Sequence, residues 1–341
     1  MTKLFEIKDQ IFKFCGEYET YLKYVYKFVI ALILFCLING SIGFMGTISS
    51  FPVALLLALV CSLLPQGMTL LFAAVLVVLN LYVLSMEVAV TALMIFAVIF
   101  FVYFRFSPKD GLFVALTPIC FALRIPYVLP IGTGLLRNAY SVASVACGTI
   151  AYYFVNGVYE NVTALKATSA GGETATKMTI TAGQLLSNKE MYVVVAAFVI
   201  SAVVVNVIKK MSIDHAWKIA IGSGILIQVV VIIAGNLVFD VDGDYVGLIL
   251  GSIISAAIGL VIEFLFMDLD YSRTERVQFE DDEYYYFVKA VPKRMVSGAN
   301  KSVTQFDGFS NIQRRKEAAT GAKVTRKDIA EELDIDEELL K

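Results

Sequence analysis

Residues 111–136 read GLFVALTPICFALRIPYVLPIGTGLL, and the fold turns on how this stretch is taken. It is apolar enough for a bilayer and exceeds the roughly 20 residues that a crossing helix needs. Yet it carries Pro118, Pro126 and Pro130, Gly132 and Gly134, and a charge at Arg124. Proline lacks a backbone donor and clashes with the preceding turn, so one clean helix is excluded. Two half-depth helices folded as a re-entrant hairpin would work if other helices shield their backbone. The alternative is that each half crosses separately. Both readings return the chain to the side it left.

The sequence around this segment is that of a polytopic membrane protein. Of 341 residues, 58% are hydrophobic and 17% charged, and the mean hydropathy is +0.74. A soluble domain carries about 25% charged residues, so this excess of apolar side chains cannot hide in one soluble core. Residues 271–341 hold 27 of the 58 charged side chains, which makes the chain an apolar body with a charged tail. Apolar runs predict eight spans: Tyr26–Met45, Phe51–Leu64, Met68–Ser85, Val88–Phe104, Asn138–Tyr159, Met191–Ile208, Ile219–Phe239 and Tyr245–Met267. The second is short; it borrows from Thr47–Ser50 or does not fully cross. The expected class is therefore all-α, with about eight transmembrane helices over 26–268 plus the broken hairpin.

Before the first span, Leu4, Ile7, Ile11, Phe14, Tyr18, Tyr21 and Val25 recur at helical spacing with charges between them. Residues 1–25 read as an amphipathic helix lying in the bilayer interface, not as a signal peptide. Lysine and arginine set the orientation. With the N-terminus inside, eleven fall on inner connections and three on the outer 160–190 loop. Both termini are thus expected in the cytoplasm, and the layout reads as that of a bacterial plasma-membrane protein.

Candidate binding residues are those that interrupt the apolar body. Broken apolar segments line transporter sites because half-helix ends and freed backbone groups can hold polar ligands. Pro118, Pro126, Pro130, Gly132 and Gly134 are candidates on that ground, against a plain reading as packing kinks. A charge deep in a bilayer is expensive, so it tends to face a cavity or a partner. Arg124 and Glu263 are the charged candidates, and they are expected to share the inner half of the membrane, where they could pair. Glu87 and Arg137 sit at span boundaries and read as headgroup contacts. The small residues in Ser141–Gly148 and Gly251–Gly259, and the scattered Asn39, Asn80, Asn206 and Gln228, read as helix packing.

Other chemistry finds little support. The five cysteines form no C-x-x-C pair, and there is one histidine, His215. Asp240, Asp242 and Asp244 suggest calcium only until the EF-hand spacing fails: the twelfth position is Gly251, not glutamate. P-loop, G-x-S-x-G and H-E-x-x-H signatures are missing, so no enzyme, metal or cofactor is expected. A net charge of −2 gives no support for a nucleic-acid partner.

The tail divides in three. Residues 269–291 are β-prone around an acidic turn and suggest a juxtamembrane hairpin. Residues 292–322 lack apolar periodicity and read as a disordered linker. Residues 323–341 predict a helix with Thr325 as its cap. Its apolar edge (Ile329, Leu333, Leu339, Leu340) suits docking onto a cytoplasmic protein partner. The opening TRKDIAEEL resembles the first helix of a helix-turn-helix DNA-binding domain, but the stretch after it is short and acidic, so DNA binding is not implied. Two functions are expected from this layout. One is permease-type transport of a small polar solute or ion beside 111–136. The other is a membrane scaffold in a homo-oligomeric or multi-subunit cell-envelope assembly, working through its amphipathic ends.

Overall fold

The computed structural model describes residues 2–46, 48–163, 174–211, 213–267, 275–280 and 284–290. Its helices are α1 (Thr2–Glu17), α2 (Glu19–Ile42), α3 (Phe51–Leu63), α4 (Gln66–Leu84), α5 (Met86–Phe106), α6 (Gly111–Ala122), α7 (Val128–Leu136), α8 (Val142–Glu160), α9 (Thr174–Leu186), α10 (Lys189–Ile208), α11 (Ala216–Phe239) and α12 (Tyr245–Phe266). Two strands follow, β1 (Glu275–Glu280) and β2 (Tyr285–Ala290), paired antiparallel with Val277 opposite Val288. The expected linker and tail helix, with Ile329, Leu333, Leu339 and Leu340, lie outside the described residues.

Among the described residues, seven helices are long and apolar enough to cross a membrane: α2, α4, α5, α8 with its leading turn, α10, α11 and α12. This is the architecture of an all-α, multi-pass membrane protein. The remaining expected span is α3, which has only 13 residues. Pro52 sits in its first turn, where a missing N–H costs no bond. Pro65 follows two residues beyond its end and keeps the helix from continuing.

Hydrogen bonds fix the course of the chain between two ends, named here basal (where α2 starts) and distal. Lys27 donates to the Leu64 carbonyl at 3.1 Å, and Gln66 donates to the Tyr26 hydroxyl at 3.1 Å, so α3 brings the chain back to the basal end. At the distal end, the buried Asn80 accepts from the Met45 N–H and the Ser49 hydroxyl, tying the α2–α3 turn to the end of α4. Lys189 donates to the Phe239 carbonyl, so α10 starts where α11 ends. The last helix finishes beside α1: Lys8 donates to the Met267 carbonyl at 3.3 Å and stands over the Phe264 ring. The N-terminal helix and the end of α12 therefore share the basal end.

The N-terminal amphipathic segment is not one helix. Its pattern breaks at Tyr18, and α2 already begins at Glu19. On α1, Ile7, Ile11, Phe12 and Phe14 are all exposed, an apolar side suited to lying on lipid.

The buried apolar residues fall into separate clusters. The largest joins α2, α3, α4, α5, α6 and α8 through residues such as Phe35, Leu76, Ala92, Val114 and Phe154. Another joins α7, α10 and α11 through Ile131, Leu135, Val205 and Ile221. A small one bridges them, with Phe113 and Leu129 meeting Val145 and Phe198. Most buried apolar residues of α6 thus lie in the first cluster and those of α7 in the second, with Phe113 and Leu129 joined in the third.

Candidate functional site

Residues 111–136 form a helical hairpin. α6 climbs from the basal end, the chain turns at 123–127, and α7 descends. Arg137, just past α7, pairs with Asp110, just before α6, at 3.1 Å. Entry and exit are therefore side by side, as both readings of the segment require.

The turn is built by the backbone. The Ile125 N–H bonds the Cys120 carbonyl and the Arg124 N–H bonds the Phe121 carbonyl, the pair of contacts that defines a Schellman cap. Arg124 occupies its left-handed position with φ 59°, a place usually given to glycine. Pro126 follows and prevents the helix from resuming. Pro130 is the third residue of α7, where the N–H has no intrahelical partner to lose. Pro118 does interrupt α6: it removes the bond to the Val114 carbonyl. A Cβ on Gly148 would lie 2.7 Å from Thr117 Cβ and 3.1 Å from that carbonyl, so glycine lets α8 approach α6 here.

The charged pair expected from the sequence does not form. The Arg124 carbonyl lies 3.7 Å from a Cβ position on Gly251, near the distal start of α12. Glu263 stands twelve residues further along that helix, about 18 Å away at 1.5 Å per residue. The expectation that both share the inner half fails because the hairpin tip packs near the distal start of α12. α6 alone rises about 18 Å, which carries Arg124 into the distal half. There it is exposed. Glu263 is buried near the basal end, where Lys218 and His215 are the charges acting on it.

The two hairpin glycines are not alike. A Cβ on Gly134 would sit 2.7 Å from Val205 and 3.0 Å from the Ala202 carbonyl, so α7 needs glycine here to lie against α10. At Gly132 the nearest atom would be Ile262 Cδ1 at 3.9 Å, an ordinary contact. The small residues of α12 serve the same hairpin. Gly251 receives the Tyr127 ring, Ser255 donates to the Tyr127 carbonyl at 2.8 Å, and Gly259 packs against Ile131 and Ile221.

The hairpin's base is a polar knot that the sequence reading missed. Asp110 accepts from Ser141 Oγ at 2.5 Å as well as from Arg137. Ser107 and Ser144 share a hydrogen bond at 2.6 Å, and the Tyr103 hydroxyl donates to the Pro108 carbonyl. Tyr103, Ser107, Asp110, Ser141 and Ser144 are all buried. The available signal was symmetry: one acid and one base flank the broken segment at 110 and 137. Arg137 is thus an ion-pair partner as well as a surface residue. Glu87 likewise pairs with Lys177 of α9 at 3.8 Å and accepts from Ser85, and is more than a headgroup contact.

The exit of the hairpin is held by α10. Asn206 donates to the carbonyls of Gly134 (3.2 Å) and Arg137 (2.6 Å), and Lys209 donates to those of Leu135 and Arg137 (3.0 and 2.7 Å). These oxygens are the unpaired, negative end of α7, the natural place for a cation. Burial, assisted by Lys210, pulls the Lys209 ammonium down from 10.5 to about 8. The folded chain therefore releases this proton before the unfolded chain does. Stability is expected to rise as pH climbs from about 8 towards 10.5, because over that window the unfolded state binds more protons. Thermal melts in detergent across this range should show the rise in the wild type and lose that component in Lys209→Met.

Beside α6 lies a crevice of about 130 Å³, bounded by α2, α4, α5, α6 and α8. Pro118 and Ala122 line it from the hairpin, opposite Leu34, Val77 and Phe96. No charged side chain lines it; its polar groups come from Ser41, Tyr103, Tyr152 and Asn156. The cavity next to the broken segment is thus apolar, where the sequence suggested a polar one. Among the described residues no cluster could hold a metal ion. Asp244 instead caps α12 by accepting from the Gly247 N–H at 3.0 Å.

No known family matches the chain. Searches among curated proteins and solved structures likewise find nothing similar.

Proposed function

We propose that this protein is a permease-type transporter of the plasma membrane, with the re-entrant hairpin as its working element. One observation carries the reading: α6 packs in the cluster of α2–α5 and α8, whereas α7 packs in that of α10 and α11. A hairpin whose arms are anchored mainly in two different clusters is placed to couple a movement between them. Broken helices at such a seam are the usual home of a transport pathway. The chain makes eight crossings in this reading, with α3 as the short one, and both termini face the cytoplasm. The basal end is then the cytoplasmic one, in line with the basic residues Lys27, Arg105, Arg137, Lys209 and Lys218. The apolar crevice favours cargo with an apolar body over a small polar solute. No P-loop is present in the sequence, so energy comes from an ion gradient or a separate subunit.

Thiol accessibility tests this reading in a background freed of the five native cysteines. With an impermeant maleimide on intact cells, Ser169→Cys and the hairpin-tip variant Leu123→Cys should label from outside. Ser302→Cys and Leu136→Cys should label only after the cells are opened. A tip that reacts from neither side would mean a closed packing element and would favour the scaffold reading. The reverse pattern would overturn the topology.

A further inference from the structure

The crevice beside α6 has a composition that selects its occupant. It extends along residues 114–122 of α6 and 148–156 of α8, each about 12 Å of helix. Its basal end is closed by Tyr103, Leu70 and Gly148, and its distal end carries Ser41 and Asn156. A comparably sized cavity walled by Leu, Ile and Phe stays dry and accepts a benzene-sized guest, so apolar matter belongs here.

The distal mouth is acidic and aromatic. Asn156, on the crevice wall, donates to Glu160 Oε1 at 2.7 Å, and Glu160 itself is exposed. Tyr152, also on the wall, stacks on Phe121 with centroids 4.2 Å apart. The charges acting on Tyr152 are Glu160 and Glu190, both carboxylates. Glu190 in turn accepts from the Tyr153 hydroxyl at 3.0 Å. Of the basic side chains described at this end, Lys177 pairs with Glu87 and Lys189 bonds the Phe239 carbonyl; Arg124 is exposed at the hairpin tip, two residues past Ala122 of the crevice wall.

We infer that this crevice binds a lipophilic organic cation, its apolar body lying along Pro118 and Val155 and its cationic head at the mouth beside Asn156 and Glu160. Carboxylates at the mouth attract an ammonium that is weakly hydrated, and they repel an anion of the same shape. The inference deepens the permease reading by naming its cargo, although binding does not require transport.

Photolabelling of the full-length protein in lipid vesicles tests it. The probe is a diazirine-bearing octyltrimethylammonium, with octyl sulfonate and octanol versions carrying the same chain. The ammonium probe should attach to peptides covering 34–41, 114–122 and 148–156. Unlabelled octyltrimethylammonium should displace it at concentrations about tenfold lower than octyl sulfonate does, the ratio expected for one favourable carboxylate contact. Ala151→Phe, which fills the crevice, should abolish that labelling. The surface variant Glu160→Gln leaves the fold untouched and should bring the ammonium down to the level of octanol. Equal labelling by all three heads would overturn the inference and make the crevice a slot for bilayer acyl chains. Labelling spread over the lipid-facing sides of α11 and α12 would overturn it too. Ammonium labelling without uptake of the same compound into proteoliposomes would refute the permease reading and leave the site standing.

Discussion

Replacing Gly134 with alanine is expected to destabilise the protein by about 1–3 kcal/mol, the usual cost of forcing an extra methyl into a packed interface. The added carbon would meet Val205 at 2.7 Å, on a β-branched side chain that α10 holds fully buried. Neither helix can yield easily: Asn206 and Lys209, one and four residues beyond Val205, are bonded to the α7 carbonyls. The matching change at Gly132 has the opposite sign. Its Cβ would meet nothing closer than 3.9 Å, so Gly132→Ala should gain about 0.5–1 kcal/mol from helix propensity alone. Cys61 and Cys147 are buried, so their reaction with a thiol dye during heating reports unfolding directly. Equal melting temperatures for the two variants would refute the close approach of α7 to α10.

Asp110→Ala should cost about 2 kcal/mol, since it strips a charged acceptor from two donors. The Asp110 side chain is 12% exposed and that of Arg137 51%. Solvent screens the guanidinium, so the ion pair by itself is worth less than its 3.1 Å separation suggests. The larger part of the loss is the buried Ser141 hydroxyl, left without its acceptor. Arg137→Ala acts differently, because it leaves a nearly buried carboxylate with only Ser141 to face it. The double variant should therefore be less destabilised than the two single losses combined, the mark of a coupled pair. Strict additivity in the same melts would mean that the pair does not hold the base of the hairpin.

Much of the fold was legible because bilayers impose simple rules. Apolar runs near the required length marked the long helices, and three prolines marked the hairpin. What failed was depth. A break between Leu123 and Tyr127 says that the chain turns, but it says nothing of how high the turn sits. That height is set by Ser255 and Gly251 receiving Tyr127, contacts between residues more than a hundred positions apart. Arg124 drew attention as a charge in an apolar run. In the fold it is the left-handed residue of a helix cap, a role that glycine usually advertises and arginine conceals. Asp110 went unnoticed because a carboxylate before an apolar run looks like an ordinary loop residue. The apolar crevice was invisible for a similar reason: its wall residues are those any lipid-facing helix would carry.

The shortness of α3 bears on the lipid around the protein. Thirteen residues span about 20 Å, whereas the hydrocarbon layer of a typical bilayer is about 30 Å thick. In the eight-crossing reading proposed above, the exposed Leu56, Leu59, Val60 and Leu63 of this helix face acyl chains. Such a mismatch is met by local thinning of the bilayer, at a fraction of a kcal/mol for each ångström. The annulus is then uneven, pinched beside α3 and of ordinary depth beside α11 and α12. A protein with one thin flank prefers thin, fluid regions of its membrane, and it lowers its energy by turning that flank towards another that shares the defect.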